Sequence, residues 1–235
     1  MTNIHSTAII DDNVDIHPSS KISAFVVING KVKIKENCFI GNHATIGSFP
    51  TTENTGVKSL DYDVVIQNNC WIGDGVTIQS GCTNTTFIGE NSKINHNSSI
   101  GHDVVIGKNC FIGLNNSISG KSVIGNNVTS GPGCTFNNMS KIGDNVRVGI
   151  GSLVLHEIEE NLVVIGRPAR DINLENKYKK KLKKIIGEDY KSKFITSPLG
   201  KYRFLRNFLK PIYLILPLFL RKKISNYLDF KRKKN

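Results

Sequence analysis

His102 is followed directly by Asp103, and Gly120 stands eighteen residues further along the chain. An imidazole that titrates near neutrality beside a carboxylate suits a general base acting on a hydroxyl or an amine. A glycine N–H, with no side chain in front of it, suits stabilisation of the oxyanion formed when an acyl carbonyl is attacked. Taken singly these are common surface residues. Together they could serve attack on an acyl carbonyl, provided the fold brings residues eighteen apart to neighbouring positions.

The spacing of isoleucine supplies such a fold. It recurs at every sixth residue from Ile4 through Ile10, Ile16, Ile22, Ile28, Ile34 and Ile40 to Ile46, resumes at Ile66, Ile72 and Ile78, and runs again from Ile88 to Ile124. Phe136, Ile142, Val148 and Val154 extend the same track. Six matches neither the 3.6 of a helix nor the 2 of an ordinary strand; it marks a parallel β-solenoid whose short strands cover the sides of a prism. Two residues before the aliphatics runs a second track of smaller side chains, among them Cys38, Ala44, Cys70, Ser92, Cys110 and Ser122. Alternation turns both tracks inward, and a narrow prism takes the large side chain only beside a small one. Gly101, Gly107 and other glycines follow the aliphatics, where each side must bend. Three hexads per coil stack residues eighteen apart at about 4.8 Å. His102 then projects, exposed, from a corner, with Gly120 one coil above it.

The track slips twice. Residues 48–63 must leave the prism as an exposed loop, a usual carrier of function, and a smaller gain lies between Ile78 and Ile88. His96, also two residues after an aliphatic, falls on a different corner from His102 and is expected to touch substrate or stand idle on the surface rather than act as a second base; His43 and His156 rank lower. A three-histidine zinc site of the carbonic anhydrase kind is not expected, because His96 and His102 occupy different corners without a third partner. All five cysteines, Cys38, Cys70, Cys82, Cys110 and Cys134, read as inward packing residues, so neither disulfides nor a metal are expected.

Charge is concentrated at the C-terminal end. The chain carries a net +12, yet residues 172–235 hold nineteen Lys and Arg against four Asp and Glu. Residues 171–235 are expected to form a basic, amphipathic helical extension, with residues 198–235 lying on an anionic membrane surface. The apolar stretch Pro211 to Leu220 is shorter than the about 20 residues a span requires. No nucleic-acid module accompanies the charge, which argues against a nucleic-acid partner. Met1 to Ser6 lack a basic segment followed by an apolar run, so a cytoplasmic location, peripheral on the inner face of the membrane, is expected.

The runs Trp71-Ile72-Gly73-Asp74-Gly75-Val76-Thr77-Ile78, Phe87-Ile88-Gly89 and Ile100-Gly101-His102-Asp103-Val104-Val105-Ile106-Gly107 resemble the central coils of the hexapeptide-repeat acyltransferases. The likeness is greatest to the O- and N-acyl enzymes that act on UDP-sugars in lipid A biosynthesis. It implies an all-β, left-handed parallel β-helix over residues 1–170 and a homotrimer with active sites in the clefts between prisms. It further implies that His102 is the catalytic base, that Asp103 orients it, and that Gly120 supplies the oxyanion amide. Lys121 stands where the O-acyl enzymes have another histidine, and is expected to touch substrate. The segment Gly166-Arg167-Pro168-Ala169 resembles the end of acetyl-CoA-dependent sugar acetyltransferases, which places it, with Gly120, beside the coenzyme A channel. The expected activity is transfer of acetyl from acetyl-CoA to a hydroxyl or amine of a sugar or sugar nucleotide in cell-envelope glycan synthesis. Its rivals are a hydroxyacyl group delivered to a UDP-glucosamine derivative by an acyl carrier protein, whose acidic surface would meet the basic tail, and a non-catalytic scaffold.

Overall fold

The computed structural model describes residues 3–50 and 63–171. Within them the chain forms 24 short strands and, as far as Leu153–Val154, visits three sheets in strict rotation, one of eight strands, one of seven and one of nine; the last two strands both join the nine-stranded sheet. The register is the one the isoleucine period requires. Ile100 pairs with Ile118, Ile106 with Ile124 and Ile94 with Ile112, each eighteen residues on. At the two slips the ladder is kept and the surplus chain is expelled, since Ile46 pairs with Ile78 and Ile78 with Ile100. Only the closing pair, Val163–Ile165 with Arg170–Asp171, is antiparallel.

The large inward track is fully enclosed through the middle of the prism, with Ile40, Ile72, Ile94, Ile100, Ile106 and Ile112 at 0% exposure. Each such side chain taken out of water contributes about 1.5–3 kcal/mol. The smaller track is more polar than a packing argument alone would give. Ser92 Oγ donates to the Gly107 carbonyl at 2.9 Å and accepts the Cys110 N–H at 3.0 Å. Asn116, buried at 1%, donates to the Gly113 carbonyl and the Ser130 hydroxyl and accepts the Cys134 N–H. Short polar side chains are accepted in this core because the strands are only about two residues long, so corner carbonyls and amides lie within their reach.

The glycines after the aliphatics serve the corners mainly through close approach: a Cβ on Gly101 would sit 2.6 Å from the Gly120 nitrogen, and of the glycines on this track Gly47 alone combines close approach with a left-handed φ, 77°. From the turn after Ile22 onward, most corners place a left-handed residue two positions later. Asn37, Asn69, Asn91, Asn109, Asn127, Asn145 and Asn161 hold it on the corner between the seven- and nine-stranded faces, with φ between 54° and 62°. Asparagine tolerates that conformation better than most residues. Their amides form one continuous file, each Nδ2 donating to the next Oδ1 at 3.0–3.4 Å.

The fold is thus the expected left-handed parallel β-helix. The helical tail, the extension 171–235 as a unit and its membrane contact fall outside the described residues, apart from Asp171. Among the described residues no helix is long and apolar enough to cross a membrane.

Candidate active site

Four consecutive coils bring their irregular or reactive residues to one edge, the corner between the eight- and seven-stranded faces. The insertion after the strand Thr45–Ser48 leaves here, and one coil on so does the bulge after Thr77–Gln79. The next coil turns through His102 and Asp103 after Ser99–Ile100, and the coil beyond it turns through Gly120 and Lys121 after Ser117–Ile118.

Asp103 is the anchor of this edge. Its Oδ1 accepts three consecutive backbone N–H groups from the bulge, those of Cys82 at 2.7 Å and of Thr83 and Asn84 at 2.9 Å each. Its Oδ2 accepts the Thr83 hydroxyl at 3.1 Å and lies 3.0 Å from His102 Nδ1. Its own N–H donates to Thr86 Oγ1 at 3.0 Å, and the His102 N–H donates to Gln79 Oε1 at 3.2 Å. Burial opposes ionisation of this carboxyl. The Thr83 N–H, the His102 ring and the Asn84 and Cys82 N–H groups outweigh it, and together hold the group down at about 2. An ionised Asp103 on Nδ1 keeps the imidazole proton there and leaves the lone pair on Nε2.

Nε2 lies over Gly120. A Cβ added to Gly120 would be 2.5 Å from Nε2 and 2.7 Å from Cε1, so only glycine leaves room for the ring. Among the described residues the Gly120 N–H donates to no protein acceptor, whereas the neighbouring Lys121 N–H is used by the His102 carbonyl at 2.8 Å. The ring of the proton acceptor therefore stands against the α-carbon of a residue whose N–H has no acceptor among the described residues. The expectation of an exposed dyad is corrected: the His102 side chain is only 13% exposed and that of Asp103 2%, because the bulge folds over them.

The model of the bacterial transferase hexapeptide (six repeats) matches residues 13–48 and 85–120, the second stretch running through His102 to Gly120. The chain carries bacterial transferase hexapeptide repeats. The hexapeptide solenoid is similar in fold to LpxA from Acinetobacter baumannii, with 23% identity, a TM-score of 0.63 and coverage of 88% of this chain and 90% of that one. It is similar also to the UDP-N-acetylglucosamine O-acyltransferase of Moraxella catarrhalis (22%, TM-score 0.59, 91% and 95% covered). The Arabidopsis UDP-N-acetylglucosamine acyltransferase follows at 20%, TM-score 0.57, with 88% and 89% covered. A sequence comparison with curated proteins finds no match.

The other expected site residues of the hexapeptide chain are dispersed. Lys121 is exposed on the same corner, in the left-handed position above Asp103. His96 lies on the corner between the nine- and eight-stranded faces, where its Nδ1 accepts the Asp74 N–H at 2.8 Å and its ring meets Trp71 edge-on at 5.1 Å. The segment 166–169 wraps that same corner on top of the coil of Leu153, which is itself three coils beyond His102. There the Gly166 carbonyl accepts the Leu153 N–H, Arg167 Nε donates to the Gly151 carbonyl and the Ala169 N–H donates to the Leu153 carbonyl. One chain alone does not bring it to the dyad.

Cys82 requires a correction. It is not an inward residue; it sits in the bulge, partly exposed, and a ligating atom from each of Cys82, His102 and Asp103 falls within 4.8 Å of the others. The slip after Ile78 displaced it from the six-residue phase that governs the other cysteines. Burial, then the charge of Asp103, pushes its thiol up, which disfavours the thiolate a metal needs. Both Asp103 oxygens are already committed to N–H and O–H donors, so the three groups fit a hydrogen-bonded anchor better than a cation site. Gln79, Thr83, Asn84 and Thr86 were not legible as site residues. The slip was their sole signal in the sequence.

Proposed function

We propose that this chain transfers an acyl group from a thioester to a hydroxyl or amine of a sugar or sugar nucleotide, with acetyl-CoA as donor. The observation that carries the reading is Nε2 of a carboxylate-held His102 standing against Gly120, whose N–H has no acceptor among the described residues. The acceptor gives its proton to Nε2 as its lone pair attacks the thioester carbon. The carbonyl oxygen takes the negative charge and accepts the Gly120 N–H. Collapse breaks the carbon–sulfur bond, and the leaving thiolate recovers the proton from His102. Asp103, ionised far below neutrality, offsets the charge of the imidazolium while it exists.

The sugar-nucleotide acceptor is supported by the solved structures of like fold that are named UDP-N-acetylglucosamine acyltransferases. The donor is read from Gly166-Arg167-Pro168-Ala169. Since that segment and His102 lie on different corners of one prism, the proposal includes a homotrimer in which a neighbour's exit segment walls the cleft; the expected loop falls largely outside the described residues.

Purified protein is offered UDP-N-acetylglucosamine with either acetyl-CoA or a hydroxyacyl carrier protein, following thiol release and product mass. Turnover with acetyl-CoA, reduced about 10²–10⁴-fold in a folded His102→Ala variant, is the expected result. Turnover with the carrier thioester alone reassigns the donor. Near-wild-type turnover in His102→Ala removes the general-base reading, and failure to engage either thioester points to a scaffold.

A further inference from the structure

We propose that Thr83 is a positioning residue for the His102–Asp103 pair, and that the bulge after Gln79 exists to present it. The proposal rests on the general-base reading of His102. The corner itself does not need the extra residues. Asp103, Lys121 and Met139 turn this corner in three successive coils at φ 59–60° with no insertion, whereas the coil before them carries the surplus residues. What the surplus residues add is a set of donors for one carboxylate.

Those donors divide between its two oxygens. Oδ1 is held by the N–H groups of Cys82, Thr83 and Asn84, which any side chains at those positions would provide. Oδ2 has two acceptor directions, one filled by the Thr83 hydroxyl and the other facing His102 Nδ1. Thr83 is therefore the sole side chain of the bulge that acts on the oxygen in contact with the base. A carboxylate fixed through Oδ1 alone can still rotate its second oxygen away from the imidazole. With the hydroxyl in place, the one direction left to Oδ2 points at Nδ1, which sets both the tautomer and the tilt of the ring over Gly120.

Thr83→Val keeps the shape and the backbone N–H and removes the hydroxyl alone. The expected result is a fall in kcat of about tenfold, the order of one hydrogen bond to a charged group, with KM retained. The His102 Nδ1–H resonance, assigned by its absence in His102→Ala, should be sharp in the wild type and broadened by exchange in Thr83→Val. Thr83→Ser should restore both readings. A resonance as sharp in Thr83→Val as in the wild type, or a serine variant as impaired as the valine one, overturns the proposal. Loss of the resonance in Thr83→Val, in a protein whose His102→Ala variant keeps its turnover, would uphold the positioning role and remove the catalytic reading instead.

Discussion

Gly120 meets two demands at once, since its N–H must stay free and its α-carbon must stay bare under the imidazole. The backbone there is not in the left-handed region, so alanine is conformationally acceptable and keeps the N–H. Its methyl would nevertheless lie 2.5 Å from Nε2 and 2.9 Å from Cδ2. Gly120→Ala should therefore leave the solenoid folded, with an unfolding midpoint within a few degrees of the wild type, and lower kcat by about 10²-fold through displacement of the base. Loss of the fold together with activity would show that the ring is not what limits position 120. The placement of Gly120 over His102 was legible from the eighteen-residue interval. The burial of His102 was not, because it depends on chain that the interval excludes.

At the scale of the turn, the asparagine file joins local conformation to the stacking of coils. Asn109 accepts from Asn91 at 3.2 Å, donates to Asn127 at 3.3 Å, and holds φ at 57°. Asn109→Ala removes both bonds and leaves a Cβ in the left-handed region, an effect of about 2 kcal/mol, since that conformation costs about 1–2 and exposed hydrogen bonds contribute little. Asn109→Gly should recover the conformational part and still lack the bonds, so its stability in urea should fall between the two. Equal stability of all three would mean that the file is a consequence of the turns and not a support for them. The asparagines are plain in the sequence, but their alignment into a file is visible only once the two slips have been assigned to a different corner. The bulge was less legible still. A gain of four residues locates an excursion, yet nothing in Cys82-Thr83-Asn84 says that its amides turn back onto Asp103. Periodic positions report the coil, and the residues that complete the site are those that leave it.

Over the whole prism, each coil touches only the coils before and after it, so stability is a sum of neighbour terms and the ends differ from the middle. The two ends are not equivalent. At the N-terminal end the inward track is uncovered, with Ile4 38% exposed and Ile10 and Ile16 only partly buried. At the other end the antiparallel return through Arg170–Asp171 follows the last coil, and Leu162 and Ala169 pack against the core. The dyad coil lies between them, its strand Ser99–Ile100 fifth of eight on its face. Opening should then begin at the N-terminal coil and reach His102 only late, because each coil lost must expose the fully buried isoleucines of the next. Hydrogen exchange should show the amides of Ile9–Ile10 and Asp15–Ile16 exchanging orders of magnitude faster than those of Ser99–Ile100 and Ser117–Ile118. Uniform protection from Ile9 to Val164 would mean that the prism opens as one unit. A gradient would instead place the site on the stretch of the solenoid least disturbed by fraying, where a hydrogen-bonded anchor of sub-ångström tolerance can be kept.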